Sequence, residues 1–244
     1  MISNALKLKA RDLIRRTGYD VRPNDRNSRA DLRLLHFLRV HRIRTVLDAG
    51  ANRGQFARQL FSSGFDGKVV SFEALPGIHQ ELQRAAAGFA DRWTVAPRCA
   101  LSDRAGKTQF HITNNIESSS MLQPSAQYKA VSHLLDEREV VEVDTMRLDD
   151  LYRPDPESEG ALFLKADVQG AEALVLAGAE RLLPHTKGLL LEMSLVPLYQ
   201  DQPQAGDIDA LVKELGFELW DMSPVFRDSS SGRLYQYDAV YFKS

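Results

Sequence analysis

"TVLDAGANRGQF", residues 45–56, decides how this chain folds. A short apolar run ends at Asp48, two glycines follow four residues apart with an asparagine midway, and a helical pattern then opens with Phe56, Leu60 and Phe61. A strand passing into a helix through such a turn places Gly50 and Gly54 where a missing Cβ permits unusual torsions or close approach of a ligand. Gly64 is a suitable stop for that helix. A dinucleotide-binding turn would read G-x-G-x-x-G, whereas from Gly50 this chain reads GANRGQ and lacks the middle glycine that admits a pyrophosphate. A nucleoside without a pyrophosphate suits the turn better, and a nicotinamide oxidoreductase is disfavoured.

Working outward, "KVVSFE" (68–73), "WTVAP" (93–97), "LFLKAD" (162–167), "GLLLEM" (188–193), "FELWD" (217–221) and "YDAVYF" (237–242) read as further strands separated by helical patterns. The alternation predicts an α/β fold, doubly wound, with a mostly parallel sheet and helices on both faces. One such helix is "DIDALVKELGF" (207–217), with Ile208, Leu211, Val212 and Leu215 on its apolar side and Gly216 before the strand at Phe217. Residues 104–160 are less regular. There "KTQFHIT" (107–113) and "EVVEVDTM" (139–146) read as two strands around a polar segment, expected to form an ordered loop over the active site.

Residues 1–42 are expected to be a helical extension. "MISNALKLKARDLIRR" (1–16) gathers Ile2, Leu6, Leu13 and Ile14 on one face among Lys7, Lys9, Arg11, Arg15 and Arg16, and "RADLRLLHFLRVH" (29–41) offers Leu32, Leu35, Phe37 and Leu38 for burial. The first helix is expected to pack on its own domain or on a second subunit of a homo-oligomer, with weak contact to an acidic membrane surface as the alternative.

The 244 residues are 43% hydrophobic, enough for one sizeable core. Thirty-three acidic and 31 basic side chains leave a formal net charge of -2, without the basic excess that non-specific nucleic-acid binding uses, so no nucleic-acid partner is expected. Cys99 is the single cysteine, which excludes an intramolecular disulfide and fits a reducing compartment. No apolar run approaches the roughly 20 residues of a transmembrane helix and no signal segment opens the chain, so the expected location is the cytoplasm.

Glu73 closes the strand after the glycine turn, at about the spacing where an acidic residue accepts hydrogen bonds from ribose hydroxyls. Turn and acidic strand end together point to a nucleoside site. Taken in order, "VLDAGANRGQF" (46–56), "VVSFEALP" (69–76), "ALSDRAG" (100–106), "LFLKADVQGAEALVLAGAE" (162–180) and "GLLLEMS" (188–194) resemble the FkbM-type methyltransferases, a branch of the class I enzymes that use S-adenosylmethionine. The resemblance implies a Rossmann-like methyltransferase domain over 43–244, built on a seven-stranded, mostly parallel sheet with a loop and hairpin inserted at 104–160. It also implies that Asp48, Gly50, Asn52 and Gly54 cradle the methionine part of the cofactor, with Asn52 at the place of the middle glycine. By the same resemblance Glu73 holds the ribose hydroxyls, and Ala100 and Leu101 line the adenine.

Methyl transfer from a sulfonium is an in-line displacement, so the acceptor must be aligned and, if it is an alcohol, must lose its proton. Lys165 and Asp167 fall on one side of an alternating strand near its C-terminal end, Glu172 opens the next helix, and Glu192 closes the following strand. These four residues are the catalytic candidates, with Asp167 and Glu192 facing one cleft beyond the strand ends. Either a carboxylate acts as general base, its pKa raised by burial or by its neighbour, or Asp167 and Glu192 hold Mg2+ that orients and acidifies the acceptor. An ion pair between Lys165 and Glu172 that ties strand to helix is the structural alternative. Of the histidines, His111 and His133 lie in the 104–160 region, His133 being the better candidate base, while His36, His41, His79 and His185 read as surface or packing residues. Tyr128, Tyr199 and Trp220 either line an acceptor pocket or pack in the core or rim. The resemblance implies O-methylation of a small-molecule hydroxyl, a sugar or glycoside. The alternatives are N- or carboxyl-methylation and a non-catalytic nucleoside-binding scaffold.

Overall fold

Strands that are apolar at nearly every position need cover on both faces, and the chain order supplies it. The computed structural model describes residues 4–129, 136–154 and 161–243. Two helices, α1 (Asn4–Arg15) and α2 (Ala30–Val40), precede β1 (Ile43–Ala49), α3 (Gln55–Ser63), β2 (Lys68–Phe72), α4 (Pro76–Ala86) and β3 (Trp93–Val95). Next come β4 (Ala100–Leu101), β5 (Gly106–Thr113), the short α5 (Ala126–Lys129), β6 (Glu137–Met146) and the short α6 (Leu148–Leu151). The chain ends with β7 (Ala161–Ala166), α7 (Glu172–Ala177), β8 (Thr186–Ser194), α8 (Ala205–Glu214), β9 (Phe217–Arg227) and β10 (Leu234–Lys243).

Seven strands form one sheet in the order β3-β2-β1-β7-β8-β10-β9. Pairing is parallel from β3 through β8, and β10 runs antiparallel to both β8 and β9. This is the mostly parallel, doubly wound sheet that the alternation predicts. The short β4 pairs with β6, and β6 with β5, in a second sheet of three strands that contains the two strands expected in the 104–160 region. His133 and Ile2 lie outside the described residues.

Side-chain alternation sorts the core into two layers. Leu47, Leu162, Leu164, Leu189, Leu191, Ala239 and Tyr241 pack with α7 and α8 through Val175, Leu176, Ile208 and Val212. The residues of opposite parity, Val46, Phe163, Leu190, Val240 and Phe242, pack with Leu34, Leu35 and Leu38 of α2, Ala57 and Leu60 of α3 and Leu82 of α4. Helix α2 therefore closes one face of the sheet, whereas α1 leaves Leu6, Leu8 and Leu13 exposed. Gly64 ends α3 in the left-handed conformation expected of a stop signal. No helix among the described residues is long and apolar enough to cross a membrane.

Candidate functional site

Strand β1 passes into α3 through three left-handed residues: Gly50 at φ 72°, Asn52 at 47° and Gly54 at 79°. Asparagine tolerates this region because its short amide bonds locally, and here Asn52 Oδ1 accepts the N–H of Arg53 at 2.7 Å. That accounts for Asn52 at the middle position. Asn52→Gly is expected to leave urea stability within about 0.5 kcal/mol of wild type, while Asn52→Val lowers it by about 1–2 kcal/mol. Equal midpoints for the two variants would remove this explanation. The glycines serve the protein's own packing. A Cβ on Gly50 would lie 1.9 Å from the Asp167 carbonyl oxygen and one on Gly54 2.4 Å from the Trp93 ring, so both bare positions are filled from within the chain.

The face covered by α2 and α3 changes from apolar to charged at the C-terminal ends of the strands. Two residues beyond Val46, Phe163 and Leu190 the same face carries Asp48, Lys165 and Glu192, and antiparallel β10 reaches the same end through Asp238, which pairs in register with Glu192. Asp48 is fully buried, and Lys165 is 5% exposed. Lys165 Nζ sits 3.1 Å from Asp48 Oδ1 and 3.6 Å from Asp167 Oδ2, and it donates to the Gly50 carbonyl at 3.0 Å. Ser71 Oγ donates to Asp48 Oδ2 at 3.1 Å and accepts from Trp93 Nε1 at 3.0 Å. Burial by itself lowers the Lys165 pKa, but the charges of Asp48 and Asp167 override it and hold the ammonium firmly protonated.

The loop after β7 organises the remaining groups. Gln169 adopts φ 56°, and its amide Nε2 donates to Asp167 Oδ1 at 3.0 Å and to Glu192 Oε2 at 2.8 Å. Tyr199 Oη lies 2.8 Å from Gln169 Oε1 and 2.9 Å from the Ser118 carbonyl oxygen, its one hydroxyl proton being shared between these two acceptors. Gln236 Nε2 adds a second donor to Glu192 Oε2 at 2.8 Å. Burial, reinforced by the Asp167, Glu172 and Asp238 charges, pushes the Glu192 pKa well above the usual carboxylate range. Glu172 does not pair with Lys165. Its Oε1 accepts the N–H groups of Val168 at 3.1 Å and Gly170 at 3.2 Å, and burial pushes its pKa up to about 7. The alternative of a Lys165–Glu172 ion pair gives way to Lys165–Asp48, because Glu172 is occupied in shaping the loop.

Two cavities meet at this layer. A cleft of about 600 Å³ is lined by Lys165, Asp167, Gln169, Glu192, Gln236 and Asp238, with Ala30, Asp31 and Leu34 of α2 on another wall. A smaller cavity of about 70 Å³ is lined by Glu73, Ala100 and Leu101 with apolar Ile78, Phe110 and Met121. Gly50, Asn52, Glu117, Asp167 and Gln169 line both. Glu73 Oε2 accepts the Asn52 N–H at 3.0 Å and Oε1 the Leu75 N–H at 2.8 Å, while burial raises its pKa. A carboxylate beside apolar walls is the set that a nucleoside needs. Asp48, Gly54 and Glu172 line neither cavity and shape the site from beneath. Within the 104–160 region, Glu117 and Ser118 line the cleft and Ser120 Oγ donates to the Gln169 carbonyl at 2.7 Å.

Residues 48–219 match the model of the Methyltransferase FkbM domain. The chain belongs to the FkbM methyltransferases. It is 29% identical over 194 residues to methyltransferase sdnD of Sordaria araneosa, covering 71% of this chain and 73% of that protein. It is 31% identical over 163 residues to the 2-O-methyltransferase NoeI of Sinorhizobium fredii, covering 64% of this chain and 66% of that protein. Among solved structures it is similar to precorrin-6y C5,15-methyltransferase from Geobacter metallireducens, at 13% identity and a TM-score of 0.44 over 87% of each chain.

In this methyltransferase the donor set around Asp167 and Glu192 does not fit Mg2+. An amide N–H group is wedged between the two carboxylates and an ammonium stands beside them, so the site offers donors where a hard cation needs oxygen ligands. No cluster of three or more His, Cys, Asp or Glu side chains with metal-holding geometry occurs among the described residues. His111 is bonded to Glu137 at 2.6 Å and lines neither cavity. Trp220 packs edge-on to Phe37, His41 and Phe242, away from the cleft, whereas Tyr199 is buried under the Gln169 loop. Sequence reasoning missed Gln169, Gln236 and Asp238 as site residues. Gln169 stood inside the quoted "KADVQGAE", and Asp238 interrupts the otherwise apolar "YDAVYF", a signal that could have marked it.

Proposed function

We propose that this methyltransferase transfers a methyl group from S-adenosylmethionine to a hydroxyl of a small molecule, a sugar or glycoside. The observation that carries the reading is the junction of the two cavities at Gly50, Asn52, Asp167 and Gln169. A nucleoside in the smaller cavity, with Glu73 on its ribose and Ala100 and Leu101 along its base, leaves its reactive end at the mouth of the cleft. S-adenosylmethionine, when bound, supplies an electrophilic methyl group on a positively charged sulfur. Carboxylates around that position favour the cationic donor and offer acceptors for the hydroxyl proton. A cleft bordered by Gln55, Gln59, Asn115, Ser118, Ser223 and Gln236 is rich in the neutral donors and acceptors that a polyol requires. The 2-O-methyltransferase NoeI supports oxygen as the acceptor atom.

Calorimetric titration with S-adenosylhomocysteine tests the cofactor assignment. Wild type should bind, and Glu73→Ala should bind at least about tenfold more weakly, the effect of losing a charge-assisted hydrogen bond. An unchanged affinity in Glu73→Ala removes the ribose assignment, and no binding by wild type removes the cofactor itself.

A further inference from the structure

On the methyl-transfer reading above, we infer that Asp238 is the catalytic base that takes the proton of the acceptor hydroxyl. Four carboxylates surround Lys165 on the cleft face, and three are engaged. Asp48 is bound by Lys165 and Ser71 and faces neither cavity. Asp167 accepts the Gln169 amide on one oxygen and faces the Lys165 ammonium with the other. Glu192 receives two amide donors on Oε2. Lone pairs directed at fixed donors are poorly available to a new proton. Asp238 lines the cleft, and its side chain has neither a hydrogen bond nor an ion pair among the described residues.

The position is set by register. Asp238 stands opposite Glu192 on antiparallel β10, with Gln236 two residues on along the same face and holding Glu192 in place. The other charged groups that line the cleft are Lys165 of β7, Asp167 just beyond that strand, Glu192 of β8, Glu117 between β5 and α5, Asp221 of β9 and Asp31 of α2. Glu117 accepts the Gln55 amide at 2.9 Å. Asp221 and Asp31 are taken up by Arg33 and Arg29 respectively, so they do not compete for the proton. Burial, and then the Asp167 charge, push the Asp238 pKa up to about 7, while Lys165 pulls it down. A base that ionises near neutral pH combines availability with proton affinity.

The step balances within the proposed reaction. The acceptor O–H bond breaks and its proton passes to the Asp238 carboxylate. The oxygen's electron pair forms the new bond to the methyl carbon, the carbon–sulfur bond breaks with its pair left on sulfur, and Asp238 then returns the proton to water.

The test uses full-length protein, S-adenosylmethionine and a panel of methyl glycosides. Asp238→Asn should lower kcat by roughly 10²–10⁴-fold, with KM and the calorimetric affinity for S-adenosylhomocysteine little changed. Wild-type kcat/KM should rise with pH up to about 7 and then level, and that rise should vanish in Asp238→Asn. Added formate should restore turnover to Asp238→Ala, which a merely structural aspartate would not show. Retention of both turnover and the pH rise in Asp238→Asn overturns the inference and leaves the methyl-transfer reading standing. Absence of wild-type turnover on every glycoside, with S-adenosylhomocysteine still bound, overturns the acceptor reading and the inference with it.

Discussion

Lys165→Met is expected to destabilise the protein by about 3–5 kcal/mol, because it leaves a buried carboxylate without its counter-charge. Asp48 is fully buried, and Lys165 is the cation beside it, at 3.1 Å. The Ser71 hydroxyl satisfies one Asp48 oxygen but carries no charge. Removal of the ammonium also releases the Gly50 carbonyl, which loses a donor at 3.0 Å. For a chain of this size each kcal/mol corresponds to about 2–4 °C, so Tm should fall by roughly 6–20 °C. The double variant Asp48→Asn with Lys165→Met should recover a large part of that loss, since a neutral amide does not need the cation. Because the Lys165 pKa is raised in the folded state, its contribution is fully present below the ordinary lysine value of about 10.4 and is lost only in strong alkali. A Tm within 2 °C of wild type, checked by calorimetry at neutral pH, would mean that Asp48 is neutral or hydrated and that the buried pair is not the anchor of the site (about half the shift of a single kcal/mol at the upper slope).

Gly50→Ala should be at least as damaging, with a loss of about 4 kcal/mol or more. The new methyl would stand 1.9 Å from the Asp167 carbonyl oxygen and 2.9 Å from its carbon, and both are backbone atoms that no rotamer change can move. The left-handed φ of 72° adds strain of its own. Relief requires the ends of β1 and β7 to separate, yet the Asp167 N–H is tied to the Ala49 carbonyl at 3.2 Å. Gly50 and Asp167 line both cavities, so the same movement should abolish binding of S-adenosylhomocysteine. Urea unfolding and calorimetry on one preparation read the two effects together. Near-wild-type values in both would show that the turn repacks around a side chain.

The charged layer at the strand ends is partly legible in the sequence. Strand alternation correctly brought Lys165 and Asp167 to one side, and Glu192 to the same cleft, because parity along a strand is a local property. The Lys165–Glu172 ion pair, the structural alternative, fails for the opposite reason. The place of Glu172 at the start of α7 is visible in the sequence, but its engagement with the Val168 and Gly170 amides depends on the left-handed Gln169, which no periodicity announces. The glycines of the turn were recognised as necessary, while the atoms that require their bareness, the Asp167 carbonyl and the Trp93 ring, come from strands far along the chain.

By itself the sequence determined the order of strands and helices, the two apolar faces of the sheet, the turn between β1 and α3 and the acidic end of β2, since each follows from near-neighbour spacing and backbone preference. The tertiary structure alone decided that Lys165 serves Asp48, that Gln169 and Gln236 converge on Glu192, and that antiparallel β10 returns Asp238 to the mouth of the cleft. Strand order and register are set by packing of the whole sheet, so side chains distant in sequence become neighbours only when both layers of the core close together.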